Sequence, residues 1–196
     1  MEDHVSTNIK TEFGDLKITY HETKYGDSVS ISKGDITQGI PLVRFHSACL
    51  FGEVFHSLHC DCHYQISQTL SLINQKGLGV LIYVYQEGRG IGLKNKIKAL
   101  EYEKKYNLDT VEAFNKLGFT KHDQRDFNIE TASIQQLNLS KTIQFISGNP
   151  LKILAIENAG FQITKLVNIR NYNLNPLAQK EISTKINKMG YLYNQT

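Results

Sequence analysis

Tryptophan is absent from the chain, and proline and cysteine each occur only three times in 196 residues. With so few prolines, none of them clustered, there is no proline-rich linker, and no composition shift marks a domain boundary. No apolar run approaches the ~20 residues that a membrane span needs. Met1-Glu2-Asp3-His4 opens the chain without the apolar segment of a signal peptide. The expectation is a cytoplasmic protein. Hydrophobic residues make up 40% and charged residues 21%, which excludes a disordered or coiled-coil chain. A net charge of +3 is too mild for a nucleic-acid footprint. Internal repeats are also missing, so one domain over residues 1–196 is expected. A chain of this length hides roughly 70% of its unfolded surface, enough for an ordinary core.

An odd number of cysteines excludes a fully paired disulfide framework. All three fall between Cys49 and Cys62, as Cys-x10-Cys-Asp-Cys. In a chain with no export signal, such a cluster reads as metal ligands or reactive thiols. Cys60 and Cys62, two apart, can bring both sulfurs to one ion on an extended or turning segment. Three protein ligands describe a catalytic zinc, and a fourth closes a structural one. His46, His56, His59 and His63 lie in the same stretch, and any of them could close the site. The spacing favours neither alternative.

Alternating patterns predict strands at Phe13–Tyr20, Ser28–Ser32 and Pro41–His46, arranged as a meander. Ile66, Leu70 and Ile73 share a helical face between Tyr64 and Gln75, with Gly77 as the stop. The continuous apolar run Gly79–Tyr85 predicts a strand buried on both faces. Leu93, Ile97 and Leu100 predict the buried face of a helix over Leu93–Tyr106. Its lysines read as a solvated face, with phosphate contact a sharper reading for Lys94, Lys96 and Lys98. Ile134 to Leu139 ends another helix. Thr142–Ile146, Leu151–Asn158 and Phe161–Val167 form a βαβ unit. The fold class is mixed α/β (α+β), a central mixed sheet flanked by helices. N-terminal strands occupy about residues 11–46, a core about 44–168, and a tail about 169–196.

Two further clusters carry chemistry. Gln86-Glu-Gly-Arg-Gly-Ile-Gly-Leu93 follows a buried strand and precedes a helix, where backbone amides gather around phosphate. Its glycine spacing fits neither the dinucleotide fingerprint nor a P-loop. A tight turn would explain the glycines; Arg89 among them favours an anion site. In His122-Asp-Gln-Arg-Asp-Phe127, Asp123 and Arg125 form either an acid/base beside a phosphate clamp or a surface ion pair.

Taken with Arg44-Phe-His-Ser-Ala-Cys49, Ser57-Leu-His-Cys-Asp-Cys62, Asp109-Thr-Val-Glu-Ala113, Leu117-Gly-Phe119 and Asn149-Pro-Leu-Lys152, these clusters stand in the order of a known family. The chain resembles GTP cyclohydrolase II, from about Phe13 to Lys188-Met-Gly-Tyr-Leu192. The resemblance implies a homodimeric enzyme that converts GTP to a diaminopyrimidine with loss of formate and pyrophosphate. It implies zinc on Cys49, Cys60 and Cys62, and Mg2+ with the triphosphate. Arg44, Phe45, His46, Ser47, Ala48, Gln65, Glu87, Gly88, Arg89, Thr110, Ser147 and Lys152 would line the nucleotide site. Arg125 would attack the α-phosphate and Asp123 would accept a proton. Departures from the family pattern at Ala48, Leu100, Phe114 and Gly148 admit two other readings. One is a relative that acts on another nucleotide or stops after pyrophosphate release. The other is a zinc-stabilised nucleotide-binding protein without catalysis.

Overall fold

Period-two patterning in the N-terminal part becomes three antiparallel strands in the computed structural model, which describes residues 5–192. They are β1 (Ser6–Thr11), β2 (Gly14–Thr23) and β3 (Gly26–Lys33). Gly14 and Gly26, at φ of 107° and 131°, supply the turn conformations that other residues avoid. The apolar run becomes β5 (Gly79–Val84), antiparallel to β3 and buried almost throughout, as expected. β4 (Leu42–Ser47), β6 (Thr142–Ile146) and β7 (Gln162–Val167) complete a seven-stranded mixed sheet of order β1-β2-β3-β5-β4-β6-β7. β6 runs parallel to both β4 and β7.

The helices are α1 (Cys62–Lys76), α2 (Gly92–Tyr106), α3 (Thr110–Lys116), α4 (Asn128–Gln136), α5 (Pro150–Asn158) and α6 (Pro176–Met189). The mixed α/β class and the β6–α5–β7 unit agree with the sequence reading. Within the stretch read as a tail, about 169–196, lies α6: Asn175 caps it, Pro176 takes the first helical position and Gly190 ends it at φ 66°.

The chain forms two compact units. The first (5–46, 65–85 and 127–169) holds the sheet and a core that includes Phe45, Ile82, Ile134, Phe145 and Ile156. The second (47–64, 86–126 and 170–192) has a smaller core of Ile91, Ala99, Ala113 and Phe114, with Tyr102 packed against it. Each unit is assembled from separate stretches of chain, so no linker betrays it in the sequence.

The face expected for α2 is different. Leu93 and Ile97 are 36% and 53% exposed, whereas Ala99 is buried. The helix instead turns Lys96 inward, to the partners described below. Among the described residues no helix is long and apolar enough to cross a membrane.

Candidate functional site

The second unit contains the whole cysteine cluster. Cys49 caps a wide helical turn, Leu50–Val54, and accepts from the Gly52 amide at 3.4 Å. Cys62 opens α1 and Cys60 lies two residues before it, and the three sulfurs fall within 4.8 Å of one another. Cys49 and Cys60 are 3.7 Å apart. Gly52 makes this convergence possible. A Cβ there would lie 2.7 Å from the Cys60 sulfur and 2.9 Å from the Cys62 Cβ.

The chemistry of these donors fits a metal ion. Hydrogen bonds from Cys60 and Cys62, opposed by burial and helped by the Lys96 charge, hold the Cys49 thiol far below its usual range. The hydrogen bond with Cys49 pushes Cys60 up to about 11 against the opposing one with Cys62, and the bonds with Cys49 and Cys60 push Cys62 upward. A soft dication would let all three sulfurs ionise, so the group could hold a metal. Among the described residues no imidazole belongs to the group. The His56 and His63 rings pack against each other, tilted by 48° with centroids 4.3 Å apart, and His59 contacts Ser57.

Glu87 opens the glycine turn Glu87–Gly90 and ties it to the cysteine turn. One carboxylate oxygen accepts from the Leu50 amide, and the other accepts from Lys96 Nζ at 2.7 Å and from the Gly88 amide at 3.2 Å. Lys96 also donates to the Cys49 sulfur at 3.2 Å.

Gly88, Arg89 and Gly90 all take left-handed conformations, with φ of 61°, 54° and 88°. Such a conformation is unusual for arginine and costs roughly 1–2 kcal/mol. A Cβ on Gly90 would come within 3.2 Å of the Arg125 amide nitrogen, and Gln124 donates to the Arg89 carbonyl at 2.9 Å. The glycines thus serve close packing against the 122–126 loop. The guanidinium of Arg89, the residue expected at phosphate, donates to Glu181 at 2.7 Å and Thr110 at 2.8 Å, and lies 5.0 Å from the Phe114 ring centroid. Burial pushes the Glu181 carboxyl up, but the charges of Arg89 and Lys185 outweigh it and hold it below its ordinary value.

Asp123 and Arg125 are a buried pair, not a surface one. Arg125 donates to both carboxylate oxygens and, at 3.0 Å, to the Ser47 hydroxyl. Ala48 lies beside Ser47 on the segment that leads into Cys49.

The first unit carries the other expected nucleotide residues. Phe45 is a core residue, packed edge-on against Phe145 at 5.3 Å. Its carbonyl accepts from Lys152 Nζ at 2.7 Å. Arg44 donates to His46, which stacks on Tyr83. Gln65 donates to the Ile169 carbonyl, and Ser147 accepts from the Asn149 amide.

The sequence reading missed Gly52, Lys96 as an inward residue, and Glu181. Only Glu181 had a usable signal: it lies in a helix announced by Asn-Pro at one end and Gly at the other.

Residues 2–168 match the family model for GTP cyclohydrolase II. A GTP cyclohydrolase-2 of Azotobacter vinelandii is 42% identical over 167 residues, covering 85% of this chain and 78% of that protein. The riboflavin biosynthesis protein RibBA of Chlorobium phaeovibrioides is 39% identical over 196 residues, covering 96% of this chain and 46% of its own. RibBA of Bacillus cereus is 40% identical over 201 residues, covering 97% and 48%. The chain thus spans about half the length of the RibBA proteins. With the cysteine cluster and the glycine turn in the family's order, this chain belongs to the GTP cyclohydrolase II family.

Proposed function

We propose that the chain converts GTP to 2,5-diamino-6-(ribosylamino)pyrimidinone 5'-phosphate, with release of formate and pyrophosphate, the opening reaction of riboflavin biosynthesis. The observation that carries this reading is the convergence of the Cys49, Cys60 and Cys62 sulfurs with no imidazole among them. Such a donor set suits zinc with a coordination position left open. When bound, the ion supplies Lewis acidity that makes water nucleophilic near neutral pH.

Asp123 and Arg125 handle phosphorus in this reading. A guanidinium is protonated at any ordinary pH and is a poor nucleophile until a proton leaves. Asp123, in contact with two of its nitrogens, is placed to take that proton. A guanidine nitrogen then bonds to the α-phosphorus, and the bond to the bridging oxygen breaks as pyrophosphate leaves. Water later cleaves the phosphorus–nitrogen bond and restores the arginine. Ser47 fixes the guanidinium from another edge.

Nucleotide contacts are proposed, as the family resemblance implies, for Arg44, Phe45, His46, Ser47, Ala48, Gln65, Glu87, Gly88, Arg89, Thr110, Ser147 and Lys152. Mg2+ accompanies the triphosphate, the active form is a homodimer, and the setting is the cytoplasm.

The test is incubation of zinc-loaded protein with GTP and Mg2+, with other purine and pyrimidine triphosphates in parallel, followed by mass analysis. Loss of formate and pyrophosphate from GTP alone supports the reading. Intact GTP, or turnover of another nucleotide in its place, contradicts it.

A further inference from the structure

Lys96 is the one lysine of α2 whose ammonium points at the cysteine cluster. The Cys49 sulfur lies 3.2 Å from its Nζ and the Glu87 carboxylate 2.7 Å, and the Phe51 ring centroid lies 4.7 Å away. A sulfur, a carboxylate and an aromatic face thus all lie against the ammonium, which has three hydrogens to offer. The approach depends on Gly88, where a Cβ would lie 3.1 Å from the Lys96 Cβ. Glu87 completes the brace by accepting from the amide of Leu50, the residue after Cys49. Cys49 is therefore fixed through its sulfur by Lys96 and through the adjoining backbone by Glu87.

We propose that Lys96 is a positioning residue for the metal centre, one that sets the donor strength and the place of the Cys49 sulfur. The proposal rests on the reading of the three cysteines as metal ligands. Three thiolates around a dication leave one excess negative charge, and the Lys96 ammonium compensates it from outside the coordination shell. Its N–H···S contact draws electron density from Cys49, so that sulfur donates less to the ion and the ion stays more electrophilic. Partners of ligands that act in this way change metal affinity by roughly 10- to 100-fold when removed.

The test uses the full chain loaded with Co2+ or Zn2+, comparing wild type with Lys96→Met and Lys96→Arg. The readouts are metal affinity by chelator competition and the thiolate-to-cobalt charge-transfer band. For Lys96→Met the expected result is affinity roughly 10- to 100-fold weaker and a band moved to lower energy, because the Cys49 lone pair is no longer stabilised. Lys96→Arg restores much of both. If Lys96→Met does not fold, Lys96→Gln replaces it with the same expected and contrary results. A folded neutral variant whose affinity and band match wild type overturns this proposal and leaves the cysteine reading intact. A wild-type chain that takes up no cobalt overturns both.

Discussion

Arg125 grips Asp123 with two parallel hydrogen bonds, Nε to Oδ1 at 2.7 Å and Nη2 to Oδ2 at 2.5 Å, and the two side chains are only 7% and 3% exposed. This fork geometry is particular to arginine. Asp123→Asn keeps the shape but loses the proton acceptor. Pyrophosphate release is expected to fall by roughly 10²- to 10⁴-fold. Stability is expected to drop by about 3 kcal/mol, because the buried guanidinium loses its counter-charge. Stopped assays for pyrophosphate and urea melts measure the two effects separately.

Gly52→Ala tests the cysteine cradle without replacing a cysteine. The added methyl would meet the Cys60 sulfur and the Cys62 Cβ at under 3 Å. At least one sulfur must move, so metal affinity is expected to fall roughly 10-fold or more. Metal content by atomic spectroscopy, with circular dichroism to establish folding, decides the matter.

Glu181→Ala removes the carboxylate shared by Arg89 and Lys185, at 2.7 and 3.3 Å. Because Arg89 is 12% exposed, the expected loss is about 3 kcal/mol of unfolding free energy. Glu181→Gln, which retains an acceptor oxygen, is expected to lose less. Denaturant midpoints compare the two variants.

Glu103 gives a pH dependence of known sign. Burial, then the Glu181 charge, push its carboxyl from the ordinary 4.5 up to about 7. Between these values the folded chain holds a proton that the unfolded chain has released. This group's contribution to stability is therefore lost as pH rises from about 4.5 to 7. Glu103→Gln is expected to gain thermal stability relative to wild type at pH 8 and to show little difference at pH 4. Melting curves at the two pH values measure it.

Local patterns in the sequence carried most of the fold. The run Gly79–Tyr85 announced β5 because a strand buried on both faces has no reason to alternate. Gly77 marked a helix end, which it closes at a φ of 70°. α3 carried a signal that went unread: Asp109 and Glu112 form a reciprocal capping box. α2 was misjudged because Leu93 and Ile97 have helical spacing yet face outward. The inward direction is set by Lys96, whose partners lie 9 and 47 positions away in the chain. The cysteine cluster was legible from its spacing. Gly52 was not, since only the return of Cys60 and Cys62 makes its missing side chain necessary.

GTP labelled with carbon-13 at the imidazole-ring carbon of guanine, given to zinc-loaded protein with Mg2+, tests the central claim most directly. Carbon and phosphorus NMR on one sample follow both halves of the chemistry. The account predicts labelled formate and pyrophosphate rising together, with the label gone from the pyrimidine product. Pyrophosphate without labelled formate, or neither from a protein shown to hold its metal, would contradict it.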